Sequence, residues 1–257
     1  KFNKWLYTSL TTPVLFKNSE GEYELEATKL KKITSEVGAL GATSGVQTVT
    51  LDAVNMMADT AAARTSILNQ KAEGAQVWAD VNGGSFEAKK LFNGAGYSSD
   101  IWAGSIGVDY TAACGGTLGA ALTIGTADTD SKNTGVVSST DSDLVGFTVY
   151  ASQTFNDVLG VALDLGYLKA SNDVTANGYE QAWNYSQDTD AFTFGVRGEV
   201  LTKVGSVNIV PHAGLRWTRI TTDDFEAGYT TDVSTMNVFQ LPLGVTVSGE
   251  FEAASWT

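Results

Sequence analysis

Thr50-Leu51-Asp52-Ala53-Val54 opens a stretch that reads as helix to about Gln70, and Gly74-Ala75-Gln76-Val77-Trp78-Ala79-Asp80-Val81 follows it as a strictly alternating run. The fold is decided at this junction. Within the first part, Leu51, Val54, Ala58, Ala61, Thr65 and Leu68 recur at spacings of three or four, which predicts one weakly apolar helical face. Thr50 is the expected N-cap and Asp52 the expected first-turn acid. Asp59 and Arg64 supply charge further along. The middle, Ala58-Asp59-Thr60-Ala61-Ala62-Ala63, is slim, as a helix confined to a channel would have to be. An Ala-rich helix on the surface of a soluble domain gives the same pattern.

Working outward, the chain after the junction repeats the alternation seven more times. Trp102, Gly104, Ile106, Val108 and Tyr110 stand against Ala103, Ser105, Gly107 and Asp109; Leu159, Val161, Leu163, Leu165 and Tyr167 stand against Gly160, Ala162, Asp164 and Gly166. In later runs Arg197 and Glu199, then His212 and Arg216, take the polar phase. A soluble β-sandwich with one wet face also alternates. Here, however, the polar series is rich in glycine and carries charges of both signs at mid-strand, which suits a polar lumen. Trp78, Trp102, Tyr110, Tyr150, Tyr167, Trp217 and Phe251 gather near run ends, where aromatic rings favour a membrane–water interface. Asp109, Asp164, Arg197, Glu199, His212 and Arg216 are therefore expected to face the lumen. Arg197, Glu199, Arg216 and Glu250 are expected to pair across it or with Asp59 or Arg64 of the helix.

The intervening segments at roughly 82–100, 126–143, 169–190 and 219–237 are long, polar and acidic, whereas those at 111–117, 153–157 and 201–206 are tight. Outer-membrane barrels alternate long extracellular loops with short periplasmic turns. This alternation places residues 70–76 at the periplasmic side. With residues 1–49 outside, the helix has to cross the membrane through the barrel. An eight-stranded barrel has room only for its own side chains, so either the barrel has further strands beyond this sequence or the helix lies outside it. The closing Gly249-Glu250-Phe251-Glu252 reads as a turn entered mid-course.

Before the junction, Val14-Leu15-Phe16 and Trp5-Leu6-Tyr7-Thr8 can form short strands, and Glu22-Tyr23-Glu24-Leu25-Glu26 alternates like an edge strand. Gly38, Gly41 and Gly45 lie in a small-residue linker. The divisions expected are a tail and linker at 1–49, a linker helix at 50–72, and a barrel at 73–257.

Composition agrees. The 257 residues carry a net charge of −13, which argues against nucleic acid as a partner. No apolar run reaches the ~18–20 residues of a membrane helix. Cys114 is the one cysteine and His212 the one histidine, so no disulfide framework, metal cluster or His-dependent triad is expected, and no cofactor.

From Glu73 onward the chain resembles the translocator β-domain of type V autotransporters of Gram-negative bacteria. The resemblance is carried by the order and spacing of Gly74-Ala75-Gln76-Val77-Trp78-Ala79, Trp102-Ala103-Gly104-Ser105-Ile106-Gly107-Val108-Asp109-Tyr110, Gly119-Ala120-Ala121-Leu122 and Val149-Tyr150-Ala151-Ser152. Gly195-Val196-Arg197-Gly198-Glu199, Pro211-His212-Ala213-Gly214-Leu215-Arg216-Trp217 and Leu241-Pro242-Leu243-Gly244-Val245 continue it. It implies an antiparallel up-and-down transmembrane β-barrel of twelve strands, eight of them present here, with a helix threaded through the lumen. It also implies an N-terminal passenger exported to the cell surface, of which residues 1–35 would be the last β-helical rungs. The implied partners are outer-membrane lipid, the barrel assembly machinery, periplasmic chaperones and the chain's own passenger, the barrel itself being a monomer. Some relatives cut their linker at an Asn-Asn pair activated by lumenal acids. Here Asn55 and Asn69 are isolated, and Asp109 is read as a lumenal residue that bonds the helix; no catalysis is expected. A free-standing porin or adhesin barrel, and a soluble carbohydrate-binding sandwich, are the alternatives.

Overall fold

The computed structural model describes residues 15–17, 23–25, 45–69, 72–88, 96–132, 137–178, 181–226, 230–231 and 235–249. Calls that fall on Trp5–Thr8, residues 26–44 or Glu250–Phe251 lie outside them. A small ribbon pairs β1 (Leu15–Lys17) with β2 (Tyr23–Leu25), where two of the short strands were expected. One helix, α1 (Val46–Thr65), precedes the sheet. The sheet runs β3 (Gly74–Ala88), β4 (Gly96–Thr111), β5 (Gly116–Lys132), β6 (Val137–Phe155), β7 (Leu159–Gly178), β8 (Gln181–Val200), β9 (Thr202–Val204), β10 (Val207–Thr222), β13 (Met236–Gln240) and β14 (Leu243–Gly249). The two-residue strands β11 (Phe225–Glu226) and β12 (Thr230–Thr231) pair above it.

Every pairing is antiparallel between chain neighbours, in the order β3-β4-β5-β6-β7-β8-β10-β13, with β9 and β14 also on β10. Prolines explain the two fragments. Val200 ends β8 opposite Pro211, and β9 resumes in the same register. Pro242 separates β13 from β14, which likewise keep one register on β10. A proline has no N–H for the ladder, so it interrupts pairing without displacing it. Read this way, eight long strands are present among the described residues, as the alternation predicts.

The segments read as long loops prove to be mostly strand. β7 and β8 are 20 residues each, about twice the ~9–11 a membrane strand needs. Their polar ends keep the alternation, because β-branched threonines such as Thr129, Thr140 and Thr189 turn inward and are buried, while Asp128, Asp141 and Asp188 turn outward. Composition had suggested loop; parity was the better guide. At the opposite, lower end the turns are tight as expected, with Gly115, Asn156, Asp157 and Gly205 in the left-handed region that such turns use.

The sheet curls around α1. Laid flat, eight strands would span about 34 Å, whereas a helix with side chains is about 10–12 Å across. Yet α1 bonds to Gln76 and Asn82 on β3, to Tyr97 and Asp109 on β4 and to Thr222 on β10, and Ile67, just past its end, bonds to Glu199 on β8. It also packs on β5, β6 and β7. Only a sheet rolled about the helix can do this. The described sheet remains open between β3 and β13/β14.

Two chemistries alternate along the barrel wall. In the lower two-thirds the outward series is apolar, with Trp102 65% exposed and Ile106 57%, and the inward series is polar. No second sheet packs on that apolar face among the described residues, so the sandwich alternative fails. Above Trp102 the pattern inverts: Asp100, Asp128, Asp141 and Asp173 face outward, while Ile101, Ala127, Leu144, Leu168, Ala170, Ala191 and Ile220 close inward on Val49, Ala53, Val54 and Met57 of the helix.

The helix departs from its expected limits of 50–72. It starts at Val46 because Val46 and Val49 are buried in this upper core; that burial outweighs the modest helix penalty of β-branched residues. Thr50 is thus an interior residue whose hydroxyl bonds Val46 O at 2.7 Å, not a cap. Asp52 lies beyond the first turn, which holds no acid, and Gly45, at φ 72°, takes the cap position. At the other end the backbone turns extended at Ser66, leaving Leu68 outside the helix.

Candidate functional site

The lumenal face of the lower wall meets the lower half of α1 in a connected polar network. Asp109 projects inward from β4 and is 3% exposed. Arg64, in the last turn of the helix, donates to its Oδ2 from Nη2 at 2.8 Å and from Nε at 3.2 Å. Tyr150, inward on β6, donates its hydroxyl to the same oxygen at 3.0 Å and accepts from Trp78 Nε1 at 2.8 Å. The Arg64 guanidinium lies 5.2 Å from the Trp78 ring, within cation–π range. Gln76 Oε1 accepts from Arg64 Nη2 at 3.5 Å. One carboxylate, one guanidinium and two aromatic rings thereby join the helix to three strands. A cation in the last turn is also favoured by the helix dipole.

Glu199 does comparable work from β8. Its buried carboxylate accepts from the Ile67 N–H, from Ser66 Oγ at 3.3 Å and from Arg197. Ser66 and Ile67 are the first residues past the helix, so Glu199 holds the chain where it leaves α1. Asp164 and Arg216 form a two-pronged pair at 2.7 and 2.9 Å between β7 and β10, with Thr193 at 3.1 Å from Arg216. Higher up, Asn82 donates to Thr60 at 2.7 Å, Tyr97 to Asp52 at 2.8 Å and Gln47 to Thr222 at 3.2 Å.

All six residues expected in the lumen sit on inward positions of the wall, and parity alone places them. Their pairing differs from expectation. Arg197 and Arg216 bond to wall carboxylates, not to Asp59, which instead lines a cavity of about 400 Å³ with Asn55, Arg197, His212 and Arg216. His212 packs on Gly244 and leaves Nδ1 without a partner among the described residues.

Of the aromatic residues assigned to the interface, Trp102, Tyr110 and Tyr167 point outward and are exposed; Trp217 is outward and half-buried against Phe192, with ring centroids 6.1 Å apart. Trp78 is a correction. It is 9% exposed and lies inside the lumen, over Gly107. In its run Val77, Ala79 and Val81 take the outward phase, so parity groups Trp78 with Gln76 and Asp80. Tyr150, grouped with the interface aromatic residues, is a second correction, being 1% exposed inside the lumen, and Met57 and Tyr97 were not singled out. Tyr150 stands in the inward phase of its strand, which was a usable signal; nothing local marks Met57 or Tyr97.

A rolled antiparallel sheet, apolar outside and wrapped around one polar-locked helix, defines an outer-membrane β-barrel with an occupied lumen. Residues 77–257 match the model of the autotransporter β-domain, and the chain belongs to that family. It is therefore an outer-membrane translocator domain of type V secretion. The translocator domain of the autotransporter NalP from Neisseria meningitidis superposes with a TM-score of 0.61 at 16% identity, covering 77% of this chain and 70% of that one. The β-domain of the Bordetella autotransporter BrkA superposes with a TM-score of 0.58 at 16% identity, covering 71% and 74%. No curated protein matches the chain.

Proposed function

We propose that this domain inserts in the outer membrane and exports a passenger lying N-terminal to α1. It then keeps that passenger tethered at the cell surface through residues 50–72. The observation that carries this reading is the helix bonded to β3, β4 and β10, and the residues just past it to β8, of a sheet whose outer face is apolar. In this orientation the tight turns at Gly115, Asn156–Asp157 and Gly205 are periplasmic, and the inverted, acid-faced upper wall stands outside the bilayer. The residues N-terminal to α1 then form the end of the passenger and its linker. A lumen filled by a bonded helix favours a translocator over an open porin. The barrel works without catalysis, as a monomer, its strands delivered by periplasmic chaperones and inserted by the barrel assembly machinery.

Thiol protection tests the threading. A cysteine at Ala62, with Cys114→Ser, should resist bulky maleimides in intact outer membranes and react once the barrel is heat-denatured, which the gel shift of heat-modifiable barrels reports. Rapid labelling of a barrel that still runs as folded would refute it.

A further inference from the structure

We infer that Arg219, with Thr221 and Asn237, holds the phosphate of an outer-leaflet glycolipid against the barrel wall. This rests on the reading above that the upper wall stands outside the cell. The height of Arg219 follows from the strand ladder. On the outward face the first polar residue above the apolar band is Asp100 on β4, Asp143 on β6, Lys169 on β7 and Arg219 on β10. In the register this boundary is a staircase. Pairing carries Ile106 across through Leu122, Phe147, Tyr167 and Phe192 to Arg219, so on β4 the row of Arg219 lies six residues below Asp100. Six residues at about 3.4 Å along a strand, against five steps of about 4.8 Å between strands, give a tilt of about 40°, inside the ~35–45° of membrane barrels. The staircase is therefore a level bilayer surface cut through tilted strands, and Arg219 stands on it at headgroup height.

Charge divides the wall at that height. On β4 to β6 the outward acids Asp100, Asp128, Asp141 and Asp143 repel a phosphate. Lys169 on β7 is already paired with Asp188 at 2.7 Å, and Asp190 accepts from the Tyr167 hydroxyl. Arg219 is exposed and has no bonded partner among the described residues. Asn237 stands directly opposite it, and Thr221 follows on the same face of β10; both are exposed and likewise without side-chain bonds among the described residues. A guanidinium, an amide and a hydroxyl thus offer donors to one phosphate. One step lower, Trp217 lies opposite Phe239, which is 82% exposed, with Phe192 against the Trp217 ring. These rings give acyl chains an apolar footing beneath the donors. A free anion meets only the donors, whereas a lipid-borne phosphate uses both, and the footing is why the occupant is a lipid.

The test titrates the full chain, purified in detergent as a heat-modifiable barrel, with lipid A carrying both phosphates and with the same lipid dephosphorylated; native mass spectrometry counts the bound lipid. The phosphorylated form should bind at least about tenfold more tightly, and R219A should remove that preference, since a hydrogen bond to a charged group is worth that factor or more. T221A/N237A keeps the charge and should still weaken binding at least about threefold; no loss would leave a bare charge and overturn the three-donor site. K169A removes an equal charge from a side chain already paired with Asp188, and should leave the affinity unchanged. Equal losses in R219A and K169A would overturn the site in favour of diffuse attraction, and displacement of the lipid by millimolar inorganic phosphate would overturn the lipid as its occupant. Orientation is read separately in whole cells, where Asp130→Cys with Cys114→Ser should react with a membrane-impermeant maleimide. Failure there overturns the orientation; a normal reaction with R219A binding lipid as the parent does overturns the lipid site alone.

Discussion

Replacing Arg64 with alanine should free the helix from the barrel without unfolding the sheet. The Asp109 side chain has no exposure, while that of Arg64 is 20% exposed. Removing the guanidinium takes the ion-pair partner from a buried carboxylate that keeps the Tyr150 hydroxyl as a donor. Breaking a buried pair in this way costs about 3–5 kcal/mol, and the stacking on Trp78 is worth about 0.5–1 kcal/mol more. Water entering the vacated space offsets part of this, so the lower end, about 3 kcal/mol, is the working value; it corresponds to roughly a hundredfold in the docking equilibrium. The backbone ladder through Asp109 to Gln76 and Gly119 is untouched. Hydrogen exchange on the full chain in vesicles should therefore show faster exchange for amides of residues 50–65 and little change in β4 to β8. The double variant R64M/D109L removes both charges and should recover much of the protection, because an apolar pair of similar volume often matches a buried ion pair. Unchanged helix protection in R64A would refute the reasoning, as would an equal loss in the strands.

Arginine at Ile106, midway between Trp102 and Tyr110 on the apolar face, should cost about 2–4 kcal/mol, against nearly nothing for arginine at Ser98 on the same face above the band; urea titration of folding into vesicles separates the two, and equal costs would place the bilayer elsewhere. Asp141 stands directly opposite both Asp128 and Asp173. D141K should stabilise the fold at low ionic strength by about a few tenths of a kcal/mol or more, read as a higher urea midpoint, and the gain should fade in molar salt; a gain insensitive to salt would not come from charge. Tyr150→Phe removes the hydroxyl shared by Trp78 and Asp109 and should cost about 1–3 kcal/mol of stability, visible as a lower midpoint; no shift would mean that water replaces it.

Side-chain parity carried most of what the sequence could reveal. The inward places of Asp109, Asp164, Arg197, Glu199, His212 and Arg216 follow from a period of two, and so would that of Trp78 had its phase been weighed above its ring. Strand ends were misjudged because Ser, Thr and Asp resemble loop composition, and only the burial of alternate threonines such as Thr140 and Thr189 shows otherwise. Pairing within the lumen was not legible. Which carboxylate meets Arg64 depends on the helix depth and on the roll of the sheet, and both arise from contacts between residues far apart in sequence.

The same distinction explains the misplaced helix limits. A search for a periodic apolar face assumes that burial divides a helix lengthwise into two sides. Here burial does follow one half of the helix, from Val46, Val49 and Ala53 through Met57 to Ala61 and Thr65, but Thr50, Thr60 and Thr65 share that half with the apolar residues, so hydrophobicity marks it only weakly. Val46 and Val49 then belong to the helix for the reason that they meet the upper ring, and Leu68 does not because the chain has already reached Glu199. A helix inside a barrel should accordingly be sought as a slim segment whose buried half mixes small, apolar and hydroxyl side chains, with its limits set by the wall residues it meets.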